Sequence, residues 1–191
     1  MNKIDTKDWK EFKLGYLKDS KGTRGTGLFQ IVNSVAYHGK DIEETDIDNP
    51  DGLNYVTRSK FNNGLKCKVI NKDAYITNPK GTISFGAENA DFFYQTEPYI
   101  TGNKMYYLDT SNLSELACIF LKSILETTFT ANYSFTEGMI PAKIYNETIK
   151  LPVDDNGEPD WVYMENFMKQ IEQKATKKLD LLKVNEASFA G

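Results

Sequence analysis

Residues 57–64, TRSKFNNG, crowd Arg58, Ser59, Lys60, Asn62 and Asn63 into six consecutive positions, 58–63. Those are the side chains that grip and read nucleic acid. Arginine and lysine donate to guanine O6 and N7, and asparagine pairs with adenine N6 and N7. Serine, threonine and lysine hold phosphate oxygens. A second set, Lys21, Thr23 and Arg24, lies in KGTRGTG (21–27), and Lys80 offers a third contact. The chemistry is reversible polar binding, with no bond made or broken. A merely solvated loop is the competing reading of the same residues.

Covalent and metal chemistry find little to work with. His38 is the only histidine, so a Ser/His/Asp or Cys/His site would have to use it. It falls in the turn-like YHGKD and is expected to be exposed. Cys67 alternates with Lys66 and Lys68 in a strand-like pattern, and Cys118 sits in an apolar helical run. Both read as reduced thiols packed as small hydrophobes. One histidine makes a His/Cys metal cluster hard to assemble. Gly22, Gly25 and Gly27 come in the wrong order for a dinucleotide fingerprint, and TGNK (101–104) lacks the flanking residues of a phosphate-binding loop. Glu43-Glu44 and Asp154-Asp155 lie in polar connections and read as solvated. There is no nucleophile elbow, nor the Asn/Asp-Pro-Pro-aromatic tetrapeptide of amino-methyltransferases. No metal or cofactor is expected on this chain.

The formal net charge is −4, which at first sight disfavours a polyanionic partner. The distribution matters more. Residues 1–30 carry seven Lys/Arg against four Asp/Glu, and residues 58–81 carry six against one, with acidic stretches between and after. A fold that gathers the basic segments creates a local field strong enough to attract a phosphate backbone. No apolar run is long enough to cross a bilayer. The opening MNKIDTKDWKEFKLG has no apolar signal-peptide core. A cytoplasmic chain is expected.

These side chains need elements to hold them. Trp9, Phe12 and Leu14 suggest an opening strand, and KGTRGTG a flexible basic loop. LFQIVNSVAY (28–37), LNYVT (53–57), LKCKVI (65–70), TISFG, DFFYQ and KMYYL read as strands by their β-branched and aromatic content. Asn49-Pro50-Asp51-Gly52 and Asn78-Pro79-Lys80-Gly81 read as turns. The period then changes. Leu113, Leu116, Ala117, Phe120, Leu121 and Ile124 recur at helical spacing after an N-cap at Ser111 or Asn112, and predict a buried helix. DDNGEPD is a polar break. From Trp161, apolar residues at Met164, Met168, Ile171, Ala175, Leu179 and Leu182 predict a long final helix capped by Asp160 and running to about Val184. The expected fold is α+β: a β-rich domain with one buried helix over residues 1–158, then a long helix and tail over 159–191.

The chain resembles the target-recognition domains of specificity (S) subunits in type I and related type IIB restriction-modification systems. WKEFKLGYL is similar to the Trp-x-x-Phe-x-Leu-x-x-Leu opening of those domains, and GLNYVTRSKFNNGL to their Tyr-Val-(Thr/Ser)-Arg segment with its Asn-Gly turn. GTISFGAENADFFYQTEPYITGNKMYYL resembles their Gly-x-Ile-x-x-Gly block with its aromatic-Gln pair. IKLPVDDNGEPDWVYMENFM resembles the junction where the domain ends and a long helix begins.

The resemblance implies a non-catalytic subunit that reads double-stranded DNA and brings a DNA methyltransferase subunit to a bipartite site. The methyltransferase carries S-adenosylmethionine, and type I systems add a restriction subunit. Full-length S subunits hold two recognition domains and two long helices. This chain has one of each, so a homodimer through Met164, Met168, Ile171, Ala175, Leu179 and Leu182 is expected to restore the two-fold arrangement. The alternative is an orphan protein-binding domain that docks on a methyltransferase and regulates it without reading DNA.

Overall fold

A computed structural model describes residues 5–87, 91–132 and 140–189. The strands are short and sort into three sheets. The largest has six strands in the order β3-β2-β4-β11-β8-β9. They are β2 (Gly15–Asp19), β3 (Gly22–Arg24), β4 (Phe29–Asn33), β8 (Thr82–Gly86), β9 (Phe92–Gln95) and β11 (Met105–Leu108). A four-stranded sheet orders β10 (Tyr99–Thr101), β6 (Leu53–Val56), β7 (Leu65–Val69) and β5 (Glu44–Thr45). The third sheet pairs β1 (Lys10–Lys13) with β12 (Thr148–Leu151). Helix α1 spans Glu115–Asn132, a short α2 spans Pro141–Ile144, and α3 spans Trp161–Phe189. The class is α+β and strand-rich, with a central helix and a long C-terminal one, as the patterning predicts.

The main core lies between the six-stranded sheet and α1. Phe29, Ile31, Ile83, Phe85, Phe92 and Leu108 from the sheet meet Phe120, Leu121, Leu125 and Phe129 from the helix. Such a layer buries the single apolar face that each element carries. The four-stranded sheet uses both faces. Val56 and Tyr99 join Met105 of the large sheet in a small second cluster. Leu53, Tyr55, Val69 and Ile100 form a third, covered by Tyr37, Ile42 and Tyr75. The Tyr55 hydroxyl donates to the Tyr37 carbonyl at 2.7 Å, tying that cover down.

Several expectations need correction. KGTRGTG is not a loose loop: Gly22–Arg24 pairs antiparallel with Leu17–Asp19, closing a tight hairpin. The Lys21 N–H donates to Asp19 Oδ1 at 2.9 Å, and Gly22 takes a φ of 101°, the left-handed backbone that glycine accepts freely. Helix α1 is capped by Ser114 rather than Ser111 or Asn112. The Ala117 N–H reaches Ser114 Oγ at 3.3 Å, while Ser111 is held back by Asp109 at 2.6 Å. Asn78-Pro79-Lys80-Gly81 closes no hydrogen-bonded turn of its own: the Asn78 carbonyl accepts from the Tyr99 N–H at 3.2 Å, and the Gly81 N–H donates to the Gln95 carbonyl at 2.8 Å.

The final helix is capped by Asp160, whose carboxylate accepts from the Tyr163 N–H at 2.8 Å. It continues past Val184 to Phe189. Its first turns pack on α1. Phe167 meets Phe120 edge-on at 5.6 Å, and Trp161 meets Phe29 at 5.9 Å. The Glu165 carboxyl is held below its usual range, first by the Lys169 ammonium one turn on and then by Ser114 at the start of α1. Met164 is fully buried in the main core. It therefore belongs to this chain's own fold and is not free to form an interface with another. Met168 packs partly against the same core. From Glu172 to Leu182 every residue is exposed.

Candidate nucleic-acid interface

Strand register decides which sequence-distant residues meet. β2 and β4 run parallel, with Leu17 opposite Ile31, so the β2–β3 hairpin tip lies at the Asn33 end of β4. β11 runs the other way, with Tyr106 opposite Asn33, which brings the β10–β11 turn (Gly102–Lys104) to the same end. β8 is antiparallel to β11, with Gly86 opposite Met105, and Phe85 faces Phe92 of β9. One rim of the six-stranded sheet thus carries the hairpin tip, the β10–β11 turn, and the ends of β8 and β9 at Gly86 and Phe92. At about 4.8 Å per strand interval the rim is roughly 24 Å long.

The loop after β6 completes this rim. β10 lies parallel to β6, with Thr101 opposite Val56, and the Gly102 N–H donates to the Val56 carbonyl at 2.9 Å. Residues 57–64 therefore leave the second sheet beside the turn at Gly102 and cross to the edge strand β9. A Cβ on Gly86 would stand 2.7 Å from Arg58 Cγ, so only glycine lets the arginine stem lie flat there. Arg58, Ser59, Gly86 and Asp91 line one small cleft.

The loop is pinned at several points. The Asn63 side-chain amide donates to the Tyr94 carbonyl at 2.8 Å. The buried Gln95 amide donates to Ser84 Oγ at 2.9 Å and to the Asn63 carbonyl at 3.3 Å. The Thr57 N–H donates to the Gly64 carbonyl at 2.9 Å, closing the loop at its base. Asn62, Asn63 and Gly64 take φ values of 50°, 54° and 76°. Asparagine and glycine tolerate this left-handed backbone better than other residues do.

The predicted contacts now separate. Lys21, Thr23 and Arg24 sit on the exposed hairpin at one end of the rim, although Arg24 is ion-paired with Asp19 at 2.5 Å. Arg58 sits near the other end, over Gly86, and the loop then runs along β9, so that Asn63 meets Tyr94 beside the pair with Ile83. Two residues have structural duties instead. Ser59 Oγ accepts from the Phe61 N–H at 3.2 Å, and the Asn63 amide is committed to Tyr94. Lys80 precedes β8 and so lies beyond the opposite end of that strand from Gly86, the strand's two ends being about 13 Å apart for four rises of ~3.3 Å. It does not join the other cations. Lys18 and Lys104 do, and sequence reasoning missed both. Lys18 alternates on the hairpin, while Lys104 takes a φ of 58° in the turn beside Arg58. Gln95 was missed as the loop's anchor, though a lone glutamine in FFYQ was a usable signal.

Other sites offer less. His38 is exposed, and no group of three or more His, Cys, Asp or Glu side chains among the described residues is arranged to hold a metal. Both cysteines are free thiols. Burial pushes the Cys118 thiol up to about 11. Burial, followed by the neighbouring Glu44 carboxylate, also raises Cys67, so neither is activated as a nucleophile. An open cleft of about 730 Å³ lies at the far end of the four-stranded sheet, lined by Asp51, Glu97 and neutral residues. Its acidic lining is the wrong sign for phosphate.

Loops carrying cations gather at one end of the sheet, and the sequence matches one family along nearly its whole length. Residues 6–183 fit the type I restriction modification DNA specificity domain. The chain belongs to that family. It is 23% identical over 156 residues to the specificity subunit S.BcgI of a type II restriction enzyme from Heyndrickxia coagulans, covering 81% of this chain and 44% of that protein. Its fold is similar to a chain of a type I restriction-modification system (TM-score 0.56, 11% identity, 97% of this chain and 44% of that one). It is also similar to the HsdS subunit of Thermoanaerobacter tengcongensis (TM-score 0.55, 11% identity, 92% and 40%). This specificity-domain chain thus spans less than half the length of the relatives it matches.

Asn63→Ala separates anchoring from base reading. Loss of the bond to Tyr94 is expected to destabilise the fold by about 1 kcal/mol and to speed hydrogen exchange at the Gly64 amide. Denaturant titration and exchange measured without DNA check this. Unchanged stability would leave Asn63 free to be a reader.

Proposed function

We propose that this chain recognises a specific sequence in double-stranded DNA on behalf of a restriction-modification complex, with catalysis left to a methyltransferase partner. The observation that carries the proposal is the single rim that gathers Lys18 and Lys21, Lys104, and Arg58 from three separate chain segments, with Lys60 two residues beyond Arg58. The B-DNA major groove is about 12 Å wide, so a rim of about 24 Å reaches across it to both phosphate walls. The hairpin lysines would then hold one backbone, with Lys60 and Arg58 at the groove or the other backbone. Residues 1–158 form the reading unit in this proposal, and residues 159–191 the coupling unit. Specificity-subunit relatives support a methyltransferase as the protein partner, with S-adenosylmethionine bound on that partner. The restriction subunit of a type I system is the further partner such an assembly admits.

The reading is tested by selecting duplexes from a random pool with the full chain, alone and with a methyltransferase subunit from the same genome. Enrichment of a defined sequence is expected, and its absence under both conditions contradicts the proposal. Lys60→Ala should lower the salt dependence of binding by about one counterion, and Arg58→Ala should cost about 1–3 kcal/mol and relax one position of the selected site. Lys80→Ala should change neither.

We further propose that two copies pair through the projecting half of α3. Met168, Ile171, Ala175, Leu179 and Leu182 fall within about 80° of arc at 100° per residue. The stripe continues the line of buried Met164 but leaves its own domain, so that Leu179 is 57% and Leu182 53% exposed. At 1.5 Å per residue, Glu172–Phe189 projects about 27 Å. Sedimentation should show a dimer that Leu179→Lys with Leu182→Lys converts to a folded monomer. A wild-type monomer at micromolar concentration contradicts the pairing.

A further inference from the structure

Phe61 stands at the tip of the 57–64 loop and is 73% exposed, more than any other large apolar side chain among the described residues. The placement is fixed by backbone bonds on both sides of the ring. The Phe61 N–H donates to Ser59 Oγ at 3.2 Å, and its carbonyl accepts from the Gly64 N–H at 3.0 Å. The Asn63 amide then clamps the following residues to Tyr94. A ring held out on so rigid a base loses little freedom when it binds. Its neighbours say what it binds. Lys60 and Asn62 flank it, both exposed, and the Arg58 stem lies behind it over Gly86. An apolar pocket on another protein would have to accept those cations at its mouth. A DNA base step offers an apolar stack with phosphates on either side.

We infer that Phe61 is a wedge that enters the base stack of the bound duplex at the step beneath the loop tip. The inference rests on the DNA-recognition reading and deepens it. Phenylalanine is among the residues that open a base step and kink the duplex in this way, with flanking basic and amide side chains holding the grooves. Inserting the ring would make the flexibility of one step, and not only its hydrogen-bonding pattern, part of what the loop selects.

The test uses the full chain and a duplex enriched by the wild-type protein, with 2-aminopurine substituted at each position in turn. Wild-type binding should raise 2-aminopurine fluorescence at one step as that base unstacks. Phe61→Ala should bind about tenfold or more weakly, with an unchanged salt dependence, an unchanged Tm and no fluorescence rise. Phe61→Trp should retain both affinity and signal. Wild-type affinity in Phe61→Ala overturns the wedge. So does a loss of affinity with 2-aminopurine silent at every position, which would mean contact without insertion. A wild-type chain that enriches no duplex, alone or with the methyltransferase subunit, overturns the DNA reading itself, and the wedge with it.

Discussion

The interface depends on the joint between the two large sheets. Val56 and Tyr99 from the four-stranded sheet meet Met105 from the six-stranded one in a fully buried cluster. The Tyr99 hydroxyl shares a 3.1 Å hydrogen bond with Thr82, and burial raises the phenol far above its ordinary value, so it stays neutral. This joint sets the exit of β6. Because β10 lies parallel to β6, the loop after Val56 emerges beside Gly102 and must cross to β9. Gln95 and Tyr94 receive it there. A shift of one residue in either sheet would reverse which side chains face the joint and send Arg58 elsewhere. The cations of the rim therefore keep their places through apolar packing and backbone pairing some distance away.

The same economy governs the last helix. Its stripe of Met164, Met168, Ile171, Ala175, Leu179 and Leu182 serves two purposes in succession. Its first turns are sealed against α1 through Phe167 and Phe120. The remainder extends past the domain with its apolar residues uncovered. A rigid helix fixed at one end is a suitable lever for holding two recognition units at a set separation. Asp154 steadies the junction. Its carboxylate accepts from the N–H groups of Asn156 at 2.9 Å and Glu158 at 3.0 Å, so the turn before the helix is defined. The Glu158 bond is the main cause that holds its acid constant below the usual carboxylate range.

Much of this was legible in the sequence, for identifiable reasons. Alternation in LKCKV and helical spacing around Phe120 reveal elements because each has one buried face. The Asn62-Asn63-Gly64 turn was legible because few residues tolerate three successive left-handed conformations. Other features were not. Sequence alone cannot say that Ser59 and Asn63 face inward to hold the loop, since both also suit base contacts. Nor can it separate Lys80 from Arg58, because that separation comes from the direction of β8. Met164 looked like its neighbours on the stripe, and only the position of α1 distinguishes it. The hairpin at Gly22 was hidden by glycines that read as slack when they are in fact the tight turn.

The central claim is that DNA lies on the rim shared by the hairpin, the β10–β11 turn and the 57–64 loop. Photo-crosslinking tests it most directly. A benzophenone amino acid is placed at position 60 in one variant and at position 80 in another, and each is irradiated with a selected duplex. The account predicts crosslinks from position 60 and none from position 80. Crosslinks from position 80 with position 60 silent would place the DNA at the opposite end of the sheet and contradict it.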